Sequence, residues 1–340
     1  MRSGARHNPG KCGRFEKKFA VRIGRWISTI AGMLLLGHSA ISVAQSAVPA
    51  PIHGVTVDNK HDIRDPKFLA KVLDSLSHLS VKPAVRIVYT PGDKKGFVPA
   101  SSYLEATKQI RQVGYVMGQP VDSFYMHCFT PAEHLARFKD YVNTLSSVVD
   151  IWEVGNEING EWLFGNVHKC RPAASVSSTS QADVVTKMTE AYDYVKSQGK
   201  VAALTLYYNT PCKRPEANEM FTWVNANVPE RMKKGLDYVL VSYYEVDCNG
   251  HRADWQSLFS QVAAIFPNSK LGISEFGWSN SRASNDVVKD LISRYYALHP
   301  DVANWVGGGF YWEFAIDMVP RDKRPESMWS TINRAMADQK

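Results

Sequence analysis

One pattern constrains this chain more than any other. Eight times in succession, a short apolar run with strand character is followed by a stretch of helical periodicity. The predicted strands are His53–Val57, Ala84–Tyr89, Tyr115–Met117, Asp150–Val154, Val201–Tyr207, Leu236–Tyr243, Leu271–Ser274 and Gly309–Phe314. The first predicted helix opens at Asp65-Pro66, an N-cap followed by a proline in the first turn, and runs through Leu69, Val72, Leu73 and Leu76. The others fall at Tyr103–Gln112, Pro131–Leu145, Ala182–Ser197, Glu219–Val228, Trp255–Phe266, Val287–Leu298 and about Glu326–Met336.

Such alternation implies parallel strands joined by right-handed crossovers. Eight units in under 300 residues match a single (β/α)8 barrel. An open doubly wound sheet fits less well, because no Gly-x-Gly-x-x-Gly follows the first strand. No repeat or Pro/Ser-rich linker divides the chain, so residues 45–340 read as one domain. In a barrel of this kind, functional residues gather at the C-terminal ends of the strands.

Residues 1–44 read as an export signal. Arg2, Arg6, Lys11, Arg14, Lys17, Lys18, Arg22 and Arg25 precede an apolar stretch from Trp26 to about Val43, and Ser42-Val43-Ala44 offers small residues for cleavage. An uncleaved anchor is the alternative, although Gly37-His38-Ser39 interrupts the apolar run. The net charge of +7 resides in this segment. The rest of the chain balances 32 basic against 32 acidic residues, which argues against nucleic acid as a partner. No later segment is apolar enough to span a membrane, so the mature chain is expected to be exported to the periplasm or secreted, and to be a monomer.

Cysteine usage agrees with export. Cys12 lies in the leader, and Cys128, Cys170, Cys212 and Cys248 follow predicted strands three, four, five and six. Four cysteines allow three pairings, and adjacency of the loops favours Cys128–Cys170 with Cys212–Cys248. No Cys-x-x-Cys exists, and His53, His127 and His251 are scattered, so neither a metal nor a cofactor is expected.

Two acids stand out by position. Glu157 closes strand four in Trp152-Glu153-Val154-Gly155-Asn156-Glu157-Ile158-Asn159-Gly160-Glu161-Trp162, and Glu275 closes strand seven in Leu271-Gly272-Ile273-Ser274-Glu275-Phe276-Gly277-Trp278. A barrel turns both toward one central pocket. Two facing carboxylates are the apparatus of glycoside hydrolysis: one protonates the leaving oxygen and the other attacks the anomeric carbon. Their environments must differ so that one holds a proton and the other does not. Trp162, Phe164, Tyr207, Tyr208, Trp278, Tyr311 and Trp312 also fall near strand ends, and aromatic faces suit the apolar C–H face of a pyranose. Together they favour a groove for a chain of sugars. Glu153 is expected in a buried polar layer below Glu157. Glu161, Glu245, Glu313 and Asp317 are expected to be solvated or ion-paired.

These segments resemble clan A of the glycoside hydrolases, retaining (β/α)8 enzymes. Gly155-Asn156-Glu157-Ile158-Asn159-Gly160, Ser242-Tyr243-Tyr244 and Phe310-Tyr311-Trp312-Glu313 are most similar to the family 53 endo-β-1,4-galactanases. Ser274-Glu275-Phe276-Gly277-Trp278 also resembles the family 17 endo-β-1,3-glucanases. The resemblance implies Glu157 as acid/base and Glu275 as nucleophile. It implies Asn156 on the sugar 2-hydroxyl, Arg86 and Tyr244 on the nucleophile, and Trp312 as a floor beneath the sugar, with Trp278 and Trp162 as further substrate contacts. Tyr243 should face the other way by strand alternation. Glu245-Val246-Asp247-Cys248 departs from the galactanases, which carry a Pro and aromatics there, and the first strand lacks their acidic start. The reaction class therefore transfers better than a galactan preference does. The implied activity is retaining cleavage of a β-linked polysaccharide or oligosaccharide. A transglycosylase with the same residues and a non-catalytic sugar-binding barrel are the alternatives.

Overall fold

Side chains alternate in and out along a strand, so the strand sequences decide what fills a closed barrel. The computed structural model describes residues 48–339, apart from 59–60, 94–95, 165–169, 171–178, 213–214, 279–283 and 323–327. The leader, Cys12 and the start of the last predicted helix lie outside the described residues. Strands β1 (Ile52–Val57), β2 (Ala84–Val88), β3 (Tyr115–Gln119), β4 (Ile151–Gly155), β5 (Ala202–Tyr207), β6 (Tyr238–Ser242), β7 (Lys270–Glu275) and β8 (Trp305–Tyr311) pair in parallel in chain order, and β8 closes on β1. The chain is a single (β/α)8 barrel.

Helices α1 (Pro66–Ser77), α2 (Leu104–Val113), α3 (Pro131–Leu145), α4 (Gln181–Ser197), α5 (Met220–Asn227), α6 (Glu230–Gly235), α7 (Trp255–Ile265), α8 (Asn285–Tyr296), α9 (Phe314–Asp317) and α10 (Met328–Asp338) follow the strands. Local chemistry sets their starts. Asp65 caps α1 by accepting from the Lys67 backbone N–H at 3.0 Å, with Pro66 in the first turn. Thr130 and Glu133 form a capping box on α3, and Ser180 and Asp183 form one on α4. None of the described helices is long and apolar enough to cross a membrane.

The barrel interior is layered. Ile52, Ala84, Met117, Ile151, Ala203, Tyr238, Leu240, Val306 and Phe310 form an apolar floor. One pleat step further along the strands the inward residues turn polar. Ala84 gives way to Arg86, Met117 to Gln119, Ile151 to Glu153, Ala203 to Thr205 and Leu240 to Ser242, all fully buried. The opposite faces, such as Val85, Ile87, Val154 and Val239, pack against the helices in the main core.

The eighth strand differs from its prediction. It begins at Trp305 and ends at Tyr311, while Phe314 already belongs to α9. Gly307, Gly308 and Gly309 lie inside the strand with positive φ, the first two of them ahead of its predicted start. A Cβ on Gly308 would sit 2.1 Å from the Ile273 carbonyl, so only glycine lets β8 approach β7 there. Helix α6 has no counterpart among the predicted helices; it starts after Pro229, two residues beyond the predicted end at Val228.

Both disulfides form as the loop order favoured. Cys128 joins Cys170 across the loops after β3 and β4, with Cα atoms 5.5 Å apart. Cys212 joins Cys248 across the loops after β5 and β6, with Cα atoms 4.4 Å apart.

Candidate active site

The polar layer is built around Arg86, which is fully buried. Its Nε and Nη2 donate to the two Glu153 carboxylate oxygens at 2.9 and 3.1 Å, and Nη1 donates to Glu275 Oε2 at 2.5 Å. Thr205 Oγ1 donates to Glu153 as well. Glu153 thus lies in the buried layer expected for it and holds the guanidinium in one orientation. Arg86 Cζ lies 5.6 Å from the centroid of the Trp312 ring, which places the indole beside the same group.

Glu275 closes β7. Its second oxygen accepts from Tyr244 OH at 2.6 Å. Both oxygens are therefore engaged by donors, one of them cationic. Tyr243, the neighbour of Tyr244, turns the other way, as alternation requires; its OH donates to the His251 carbonyl and its ring packs on Trp255. Of the two tyrosines, Tyr244 is the one that contacts Glu275.

Glu157 sits on the other side. Its Oε1 accepts from Ser242 Oγ at 2.5 Å and its Oε2 from Ser123 Oγ at 3.3 Å. Ser242 also pairs with Glu275 along the β6–β7 ladder, so one residue at the end of β6 touches both acids' strands. The surroundings of Glu157 raise its pKa well above the ordinary value. Burial is the main cause, the Glu275 charge adds to it, and the Ser242 bond opposes it. Glu157 also has φ of 45°, a left-handed conformation that costs a non-glycine residue about 1–2 kcal/mol. Its carbonyl accepts from the Gly160 N–H at 2.8 Å, which closes the turn that raises the side chain off β4.

Asn156 Oδ1 accepts from the Ser123 backbone N–H at 2.9 Å. Its Nδ2 is buried and has no partner among the described residues. The same holds for Trp278 Nε1 and Glu313 Oε2. A buried polar atom left without a partner costs about 1–3 kcal/mol, so these groups favour a polar ligand. Trp162 Nε1 donates to Ser123 Oγ at 3.0 Å, and its ring meets Tyr207 edge-on at 4.9 Å.

The remaining acids divide. Glu245 is ion-paired as expected, accepting from Arg294 Nη1 and Nη2 at 2.7 and 3.0 Å. Asp317 accepts from Tyr311 OH at 2.9 Å. Glu313 departs from its expected solvated or ion-paired role. It packs over Gly277, where an added Cβ would meet its carboxyl at 2.3 Å, and burial followed by the Asp317 charge pushes its pKa up to about 7. Asp122 was missed altogether. Burial and the Glu275 charge raise its pKa to about 7, and it caps the turn Ser123–Cys128 through the Phe124 N–H. Ser123 was missed as well. Ser242 was quoted from the sequence but given no role. Isolated Ser and Asp residues of this kind carry no pattern, and only the fold brings them to Glu157 and Glu275.

Among the described residues, the one metal-like cluster is His127, Cys128 and Cys170, whose two sulfurs are bonded to each other. The site is thus a carboxylate pair at the C-terminal end of a (β/α)8 barrel, with one acid raised by burial and the other gripped by an arginine and a tyrosine. No family model matches the chain, and no curated protein matches it. Solved structures share its fold. Saccharomyces cerevisiae Gas2p in complex with laminaripentaose superposes with a TM-score of 0.51 at 15% identity, over 85% of this chain and 65% of that one. Gas2 bound to a ligand designated compound 8 gives 0.53 at 16% identity, over 87% and 66%. This chain therefore spans just under two thirds of those proteins, and the likeness at this identity is one of fold.

Proposed function

We propose that the protein is a retaining glycoside hydrolase that cleaves a β-linked glucan internally. The observation that carries the reading is the unequal pair Glu157 and Glu275. A carboxyl whose burial favours the protonated form is suited to protonate a leaving glycosidic oxygen. A carboxylate held by Arg86 and Tyr244 is suited to attack C1. In the first step Glu275 bonds to C1, the C1–oxygen bond breaks, and the Glu157 proton goes to the leaving sugar. In the second, water attacks C1, gives its proton to Glu157, and frees Glu275. Asn156 Nδ2 is available to the sugar 2-hydroxyl, and Trp312 beside Arg86 offers a platform at the cleavage point. The reaction needs no cofactor.

Two things support a β-1,3-linked substrate: the laminaripentaose bound by Gas2p, a protein of similar fold, and the resemblance of Ser274–Trp278 to endo-β-1,3-glucanases. The pairing of all four cysteines of residues 45–340 supports export of the chain after removal of the 1–44 leader. The test is an assay for new reducing ends on laminarin, β-1,4-galactan, mannan and xylan, with Glu275→Ala in parallel. Cleavage of laminarin by the wild type alone is expected. Equal rates in both proteins would remove Glu275 from the mechanism. Cleavage of galactan alone would move the substrate to the other family that the sequence resembles.

A further inference from the structure

We propose that Arg137 on α3 and Lys187 on α4 are positioning residues for Glu157: they grip the two ends of segment 120–126 and so fix Ser123, which contacts both Glu157 and Asn156. The inference rests on the reading of Glu157 as general acid and deepens it. Lys187 is 1% exposed and Arg137 7%. Among the described residues, neither forms an ion pair with a carboxylate. Burying a cation without an acid partner is costly, and an apolar side chain of similar volume would fill either place without that cost. Packing alone therefore does not account for them.

What they hold does. Arg137 Nε donates to the Pro120 carbonyl at 2.6 Å, Nη2 to the Thr90 carbonyl at 3.0 Å and Nη1 to the Val98 carbonyl at 3.1 Å. Lys187 Nζ donates to the Met126 carbonyl at 3.0 Å. One cation thus holds the chain where it leaves β3, and the other holds it six residues later. Between the two gripped carbonyls stand Asp122, the cap of the turn, and Ser123. The Ser123 N–H donates to Asn156 Oδ1 at 2.9 Å, and its Oγ donates to Glu157 Oε2 at 3.3 Å. Burial lowers the Lys187 pKa to about 8 while Asp183 and Glu133 oppose it, so the ammonium keeps its charge at neutral pH. His134, beside both cations, is pushed down to about 3 by burial and by their charges, and stays neutral. A hydrogen bond from a charged donor is about twice as strong as a neutral one. A shift of about 1 Å at Ser123 is enough to misplace the groups it holds, and misplacements of that size cost rate.

The test compares two substrates that differ in their need for the acid. Laminaripentaose must have its leaving sugar protonated; dinitrophenyl β-laminaribioside releases a phenolate that needs no proton. Lys187→Met keeps the aliphatic stem and removes the charge. Its kcat/KM should fall about tenfold or more further on laminaripentaose than on the aryl glycoside, because Asn156 serves both substrates and the acid only one. In a Ser123→Ala background the same substitution should add little to that selective loss. Equal losses on the two substrates, no loss, or a full further loss in the Ser123→Ala background would overturn the inference, while cleavage by the wild type keeps the glycosidase reading. If Lys187→Met fails to fold, Arg137→Lys, which retains the charge without the fork, takes its place with the same outcomes. Wild-type activity on galactan, mannan or xylan alone moves the comparison to the oligosaccharide and aryl glycoside of that polymer. A wild type inactive on all of them would sink both readings.

Discussion

Glu157 concentrates the physics of the site in one side chain. It is buried, left-handed in its backbone, and raised in pKa by desolvation and by Glu275. As general acid it must carry its proton, so activity should fall as pH rises through its pKa. Ser242 opposes that shift with its hydrogen bond. Ser242→Ala should therefore move the basic limb of the kcat profile to higher pH, and a limb that stays in place or moves down would remove Glu157 as the group titrated. Glu157→Gln should cost about 10²–10⁴-fold in kcat, measured with a polysaccharide whose leaving group needs protonation. At this scale strand-end position pointed to Glu157 and Glu275, and the resemblance to clan A enzymes pointed to Asn156, Arg86, Tyr244 and Trp312. The sequence did not expose Asp122, Ser123 or the burial of Glu313. Their roles depend on neighbours from other strands and loops.

The elements were legible where local chemistry is strong. Asp65-Pro66, Thr130-Pro131 and Ser180-Gln181 each combine a capping side chain with a favourable first turn, and α1, α3 and α4 begin there. The start of β8 was illegible, because Gly307 and Gly308 give no strand signal until β7 is placed against them. The disulfides act at the same scale, tying the loops that carry the site. Cys128 and Cys170 are separated by 42 residues in sequence. Removing that crosslink with serines should cost about 4 kcal/mol in unfolding free energy on the chain-entropy account. Denaturant titration of the double variant checks this, and an unchanged midpoint would mean the unfolded loop is already constrained.

Across the whole molecule, the polar layer above the apolar floor sets a pH dependence of stability. Asp122 and Glu313 both titrate near pH 7 in the fold, against ordinary values near 4. Between those limits the folded protein keeps protons that the unfolded chain releases. Their stabilising effect is therefore complete below pH 4 and is lost as pH rises to about 7, by up to about 1.4 kcal/mol per group per pH unit. The melting temperature should fall from pH 5 to pH 7.5, and Asp122→Asn should flatten the fall; a melting temperature that rises over this range would contradict the burial of both groups. The sequence alone determined the eight strand–helix units, the closed parallel barrel they imply and the two glutamates at strand ends, because periodicity, caps and strand-end position are local properties. Only the tertiary structure decided which oxygen Arg86 grips, which hydroxyls hold Glu157, and that Glu313 is buried. Those facts depend on which side chains from distant strands meet in the barrel mouth, and burial and charge there act over ångströms of space, whatever the separation in sequence.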